Sequence, residues 1–170
     1  MKNIFNFLLI LFISVSALFA QKPYVEYLHN GQKATEGTLS DKGVRIGAWH
    51  WYYENGALQK VGEYNDKGLK VGEWKDYYAD GKLQKQEIFS GKGECKAFYE
   101  NGQLQYAYNV VDGLKQGEYN EYYADGKKKI QAIYKDNALD GYAIWYFSDG
   151  KKDMEGYLKM GKRDGNWTYY

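Results

Sequence analysis

The sequence predicts an all-β fold, an elongated antiparallel β-meander of stacked hairpins. Asn-Gly or Asp-Gly recurs at Gly31, Gly56, Gly81, Gly102, Gly126 and Gly150, at spacings of 25, 25, 21, 24 and 24 residues, and self-similarity at a near-fixed period marks a repeat architecture. A second glycine series, Gly47, Gly72, Gly93, Gly117 and Gly141, precedes the next turn glycine by nine residues every time, and Gly165 continues it. The composition agrees: 19 Tyr, 5 Trp and 20 Gly stand against a single proline, Pro23, which suits short strands and tight turns rather than helices.

Residues 1–20, MKNIFNFLLILFISVSALFA, carry one cation at Lys2, an apolar run and small residues ending at Ala20, the layout of a cleaved secretory signal. The expected mature chain, residues 21–170, is then a single array that is exported to the periplasm, the cell envelope or the medium. Removing Lys2 leaves 22 basic and 22 acidic side chains. That balance argues against nucleic acid as a partner and weakens electrostatic attraction to anionic lipid. Cys95 is the sole cysteine, so no disulfide framework accompanies export.

Within the array, each second-series glycine opens a strand: GAWHWYYENG, GEWKDYYADG, GECKAFYENG, GEYNEYYADG, GYAIWYFSDG and GNWTYY. Asn-Gly and Asp-Gly then predict type I′ hairpin turns, whose twist matches paired strands. A second strand follows each turn, with an apolar residue eight positions past the turn glycine at Leu39, Tyr64, Phe89, Val110, Tyr134 and Leu158. The interval from turn glycine to the next second-series glycine is 15 or 16 residues except between Gly81 and Gly93, where it is 12, which predicts a shortened loop between repeats. Cys95 stands there in the column that holds Trp or Tyr in most other copies, and reads as a small buried apolar residue rather than a nucleophile.

The strings GEYNDKGLKVGEWKDYYADGKL and GYLKMGKRDGNWTYY resemble the variant MORN repeat of bacterial proteins, including chains labelled YwqK-type antitoxins. The resemblance covers about residues 24–170 and makes the chain an array of about six MORN-like repeats. It implies the elongated meander, a role in protein or membrane association or in antitoxin-type binding, and no family-wide catalytic residues.

Alternation along a strand separates two faces. Columns two, four and six after the second-series glycine carry Trp49, Trp51, Tyr53, Trp74, Tyr78, Tyr119, Tyr123, Trp145, Phe147, Trp167 and Tyr169, apolar enough to be the packed side. The other face carries Glu73, Lys75, Glu94, Lys96, Glu118 and Asn120. Only its fifth column breaks that polarity, with Tyr52, Tyr77, Phe98, Tyr122, Tyr146 and Tyr170. At about 4.8 Å per strand these rings recur roughly every 10 Å, an aromatic ladder that is the candidate binding surface. The competing reading is sheet covering through cross-strand pairs with Leu58, Leu83 and Leu104.

Catalytic chemistry finds little to work with. His29 and His50 have no His or Cys at ligand spacing, so no metal site is expected; no glycine-rich loop feeds a helix to cradle phosphate, and no cofactor is called for. Asp80, Asp125 and Asp149 form turns first. Glu54 and Glu100 could be brought to them by folding, but an active site needs one unique arrangement rather than near-copies.

The expected function is that of a secreted, non-catalytic protein-binding scaffold. Alternatives are a carbohydrate or cell-wall module stacking sugars on the ladder, and association with lipid. The final strand, ending at Tyr170, also predicts self-association or strand addition at an open edge.

Overall fold

The computed structural model describes residues 21–170; the proposed signal segment, residues 1–20, lies outside them. The strands are β1 (Lys22–Tyr27), β2 (Lys33–Leu39), β3 (Arg45–Tyr52), β4 (Leu58–Tyr64), β5 (Lys70–Tyr77), β6 (Leu83–Ile88) and β7 (Lys92–Phe98). They continue as β8 (Leu104–Val111), β9 (Leu114–Tyr122), β10 (Lys128–Lys135), β11 (Ala138–Leu139), β12 (Gly141–Tyr146), β13 (Lys152–Lys159) and β14 (Lys162–Tyr169). All pair antiparallel with their neighbours in chain order in one sheet, with short β11 set aside against β10. The all-β meander is therefore the fold.

The predicted turn type is corrected. Each Asn-Gly or Asp-Gly glycine has positive φ, from 81° at Gly56 to 92° at Gly150, but the Asn or Asp before it does not. Gly56 N–H donates to the Tyr53 carbonyl at 2.9 Å and Tyr53 N–H to the Ala57 carbonyl at 2.8 Å, a three-residue loop with a left-handed glycine closing it. Type I′ turns occur instead on the opposite edge of the sheet, where Asp112-Gly113, Asp136-Asn137 and Met160-Gly161 have both residues at positive φ. Periodicity located the hairpins; the backbone hydrogen bonds chose the loop length.

The second glycine series makes bulges. Gly47, Gly72, Gly117, Gly141 and Gly165 all take positive φ, and pairing slips beside them, for example between Val61 and Glu63 of β4 and between Gly156 and Tyr157 of β13. Extra residues in one strand accommodate such a slip. Gly93 is the exception: it has no positive φ, and the β6–β7 pairing, Lys85 with Ala97 and Gln86 with Lys96, shows no slip. The 12-residue interval thus reflects a missing bulge and a short β6, not only the shortened loop expected.

Packing is one-sided. Trp49, Trp74, Cys95, Ala97, Tyr108, Val110, Ala132, Ala143 and Leu158 are buried, and register puts them on the face predicted to pack. Tryptophans lie over glycines of the adjacent strand: a methyl group on Gly37 would stand 2.3 Å from the Trp49 ring, on Gly62 2.1 Å from Trp74, and on Gly156 2.6 Å from Trp167. The indole N–H of Trp49 donates to the Thr38 and Ile46 carbonyls, and that of Trp74 to the Glu63 and Val71 carbonyls, all at 3.2 Å. Burying Trp49 and Trp74 this way is allowed because the indole N–H is satisfied, whereas the Trp167 N–H is buried without a partner among the described residues.

Candidate binding face

The fifth-column residues sit where the strands enter their turns, opposite the first residue of the following strand. Tyr52 faces Leu58, Tyr77 faces Leu83 and Phe98 faces Leu104, whereas Tyr122 faces Lys128 and Tyr146 faces Lys152. The row is therefore aromatic-aliphatic from β3 to β8 and aromatic-cationic beyond β9. Five of the rings are half-buried and only Tyr170 is open, at 62% exposure. The leucine pairs expected of simple sheet covering are present, yet the row keeps part of each ring at the surface.

What holds this row is a second set of tyrosines on the other face. The hydroxyl of Tyr53 donates to the Tyr77 carbonyl at 2.7 Å, Tyr78 to Phe98 at 2.8 Å, Tyr99 to Tyr122 at 2.8 Å and Tyr123 to Tyr146 at 2.7 Å. Each bond ties one hairpin to the next at the backbone of a ladder residue. The doubled aromatic before every turn was visible in the sequence, but that its second ring is a repeat-to-repeat clasp was not. Phe147 lacks the hydroxyl at this position and is correspondingly more open, at 45% exposure.

The two outer members of the row are wired to carboxylates. Tyr52 stacks on His50 with centroids 6.5 Å apart and donates its hydroxyl to Glu36, which also receives Lys33 Nζ at 2.7 Å. Burial, reinforced by the Glu36 carboxylate, pushes the Tyr52 phenol up to about 12. Tyr170 likewise donates to Glu155, which receives Lys152 Nζ at 2.6 Å. The lysine and the phenol hold the Glu155 carboxyl down at about 2. Between these ends the positions matching Glu36 and Glu155 are apolar or neutral, namely Val61, Gln86, Ala107 and Gln131, and Lys128 meets the Gln131 amide oxygen instead of a carboxylate.

Cys95 is buried, and its Sγ accepts the Ile88 N–H at 3.2 Å, in keeping with the apolar role expected. Burial raises its thiol, opposite to the shift that activates a nucleophile. Among the described residues no group of three or more His, Cys, Asp or Glu is placed to hold a metal ion.

One feature escaped sequence reasoning. Two residues before the second-series glycine stand Arg45, Lys70, Lys115 and Arg163, each laid over rings of the packed face. Arg45 is 4.6 Å from the Trp49 centroid, Lys70 is 4.1 Å from Trp74, Lys115 is 4.5 Å from Tyr108 and Arg163 is 4.7 Å from Trp167. Where column two holds Cys95 or Ala143 instead of a ring, the matching position is Gly91 or Leu139. That pairing of cation with ring was a readable signal.

Compared with known families, the chain matches the MORN repeat variant at residues 45–66, 70–90, 92–112 and 115–136, just over half its length. The chain belongs to the MORN repeat variant family. Each match spans one hairpin, β3–β4, β5–β6, β7–β8 and β9–β10, so the MORN unit and the structural unit coincide. No curated protein matches the chain. MORN repeats are in general binding modules rather than catalytic ones, and often engage proteins or membrane lipids.

Proposed function

We propose that this protein is an exported scaffold that captures a protein partner on the face bearing Tyr52, Tyr77, Phe98, Tyr122, Tyr146 and Tyr170, in the cell envelope or outside the cell. The observation that carries the reading is the half-buried apolar row from Tyr52 to Tyr122 on an otherwise charged face. Its surroundings are ion pairs such as Lys75–Glu73 at 2.8 Å and Lys96–Glu94 at 2.6 Å. A ring row with a polar rim is the anatomy of a protein interface. The hydroxyl clasps fix the backbone beneath it, which lowers the ordering cost of binding.

Pull-down from the cell envelope and culture medium, with residues 21–170 as bait, tests this. Substituting Tyr77, Tyr122 and Tyr146 together by Thr should leave the circular dichroism spectrum intact and remove the partner. A partner retained by the folded triple variant would refute the ladder as the contact surface.

A further inference from the structure

A formal net charge near zero conceals a segregation of charge between the two faces of the sheet. On the tryptophan face, the carboxylates of Asp76, Glu87 and Glu121 are each taken by a lysine: Lys60 at 3.0 Å, Lys85 at 2.8 Å and Lys129 at 2.7 Å. Arg45, Lys70, Lys115 and Arg163 make no ion pair among the described residues, and each lies on an aromatic ring instead. A ring attracts a cation without neutralising it, so four full positive charges remain along one margin of this face. Glu63 and Glu118, on the opposite face, also form no ion pair among the described residues.

The cations stand on β3, β5, β9 and β14, two, four and four strands apart in the sheet. At about 4.8 Å per strand the row spans on the order of 48 Å, the reach of roughly 14 residues of extended chain. Beside it the surface is hollowed. A depression of about 390 Å³ is lined by Trp51, Tyr64, Trp74 and Lys70, and one of about 180 Å³ by Cys95, Tyr108, Val110 and Lys115. Each hollow joins a cation without an ion-pair partner to aromatic walls, and its one carboxylate, Asp76 or Glu87, is already taken by a lysine.

The geometry points to a second binding surface on the tryptophan face, fitted to an extended acidic segment of a partner protein. Its carboxylates meet Arg45, Lys70, Lys115 and Arg163, and intervening apolar side chains enter the two hollows. This surface is independent of the tyrosine row on the other face and goes beyond that reading. Charge complementarity selects the occupant: from β5 to β9 the pairs within the face take Asp76, Glu87 and Glu121, Glu26 at the β1 edge meets only the Tyr24 hydroxyl, and the four cations are held in place by the rings, which spares part of the ordering cost.

The probe is a fluorescent 14-residue peptide of glutamates with two leucines, compared with its counterpart carrying Gln for every Glu, by anisotropy with residues 21–170. The acidic peptide should bind at least about tenfold more tightly than the neutral one at low salt, and the difference should shrink as salt rises to about 0.15 M. Arg45→Gln, Lys70→Gln, Lys115→Gln and Arg163→Gln combined should abolish that preference. The pair Lys70→Arg with Lys115→Arg keeps the charge over the rings and should preserve it, which separates lost charge from lost fold. Substituting Tyr77, Tyr122 and Tyr146 by Thr should leave peptide binding unchanged. Equal binding of the two peptides, or a folded quadruple variant that still prefers the acidic one, overturns the proposal. So does equal or tighter binding of phosphatidylserine vesicles or single-stranded DNA through the same four residues, since it would assign the face to a different class of partner.

Discussion

The hairpins around Trp74 and around Cys95 share one spacing rule and fill the same layer in opposite ways. In the first, Gly62 leaves room for Trp74, whose ring covers it, and Gly72 at φ 63° opens the bulge that carries the strand around the indole. In the second, the ring is missing and so is the bulge. Cys95 is 1% exposed between β6 and β8, Tyr108 supplies the bulk from the next strand, and the cation over the site is Lys115 of β9, on the Tyr108 ring, because Gly91 stands where Lys70 stands in the neighbour. Volume is conserved across adjacent strands rather than within one strand. A sheet with a single packed face has only neighbouring rows with which to compensate.

Removing a ring should separate the two solutions most. Trp49→Ala or Trp74→Ala should cost about 3–5 kcal/mol in urea denaturation, the range for a buried tryptophan. Cys95→Ala removes one sulfur from a smaller site and should cost far less. Glycine substitutions sharpen the same contrast. Gly62→Ala should cost about 1–3 kcal/mol by overpacking, because the new methyl meets the Trp74 ring at 2.1 Å; at Gly93 the nearest atom is the Ile88 Cγ1 at 2.9 Å, on a side chain free to turn. In the Gly62→Ala, Trp74→Ala double variant the two losses should be less than additive, since each change relieves the other.

The clasps give a smaller effect. Tyr78→Phe should cost about 0.5–1.5 kcal/mol, the net worth of one hydrogen bond, and its loss should register as faster amide exchange where β5 meets β7 through the Phe98 carbonyl. The two clasped strands, β5 and β7, flank the short β6, so the clasp bridges the site where the bulge is missing. Tyr99→Phe tests the same bond one unit further on.

Smallest and most local is the response to acid, which distinguishes the ends of the sheet from its centre. Glu155 is held at about 2 in the fold, against an ordinary value of 4.5, by Lys152 and Tyr170; Glu36 is lowered by Lys33 and Tyr52. A depressed carboxyl stabilises the fold above its unfolded value and loses that contribution as pH falls toward its folded one. Hydrogen exchange should therefore show β13–β14 loosening between about pH 4.5 and 2, while the Leu58, Leu83 and Leu104 region stays unchanged. Glu155→Gln should remove that pH dependence at β14.

Both glycine series were legible in the sequence, and they carried the fold: the turn glycines give the hairpins, the second series the bulges, and alternation assigned Trp49, Trp74 and Cys95 to the packed side. Loop type was misread because Asn-Gly is compatible with both two- and three-residue loops, and only the Tyr53 to Ala57 hydrogen bond distinguishes them. The ladder Tyr52 to Tyr170 was legible as a column, whereas its half-burial depended on what arrived opposite, Leu58, Leu83 and Leu104 in one half and Lys128 and Lys152 in the other.

By itself, then, the sequence determined the period, the direction of each strand and which residues share a face, because the period-two alternation of a strand is local. Only the tertiary structure decided what stands beside what across strands. It laid Arg45, Lys70, Lys115 and Arg163 on rings, joined Tyr53 to the Tyr77 carbonyl 24 residues away, and divided a neutral chain into a cationic face and its opposite. Those are properties of register, and register is set by bulges and turns acting together along the whole sheet.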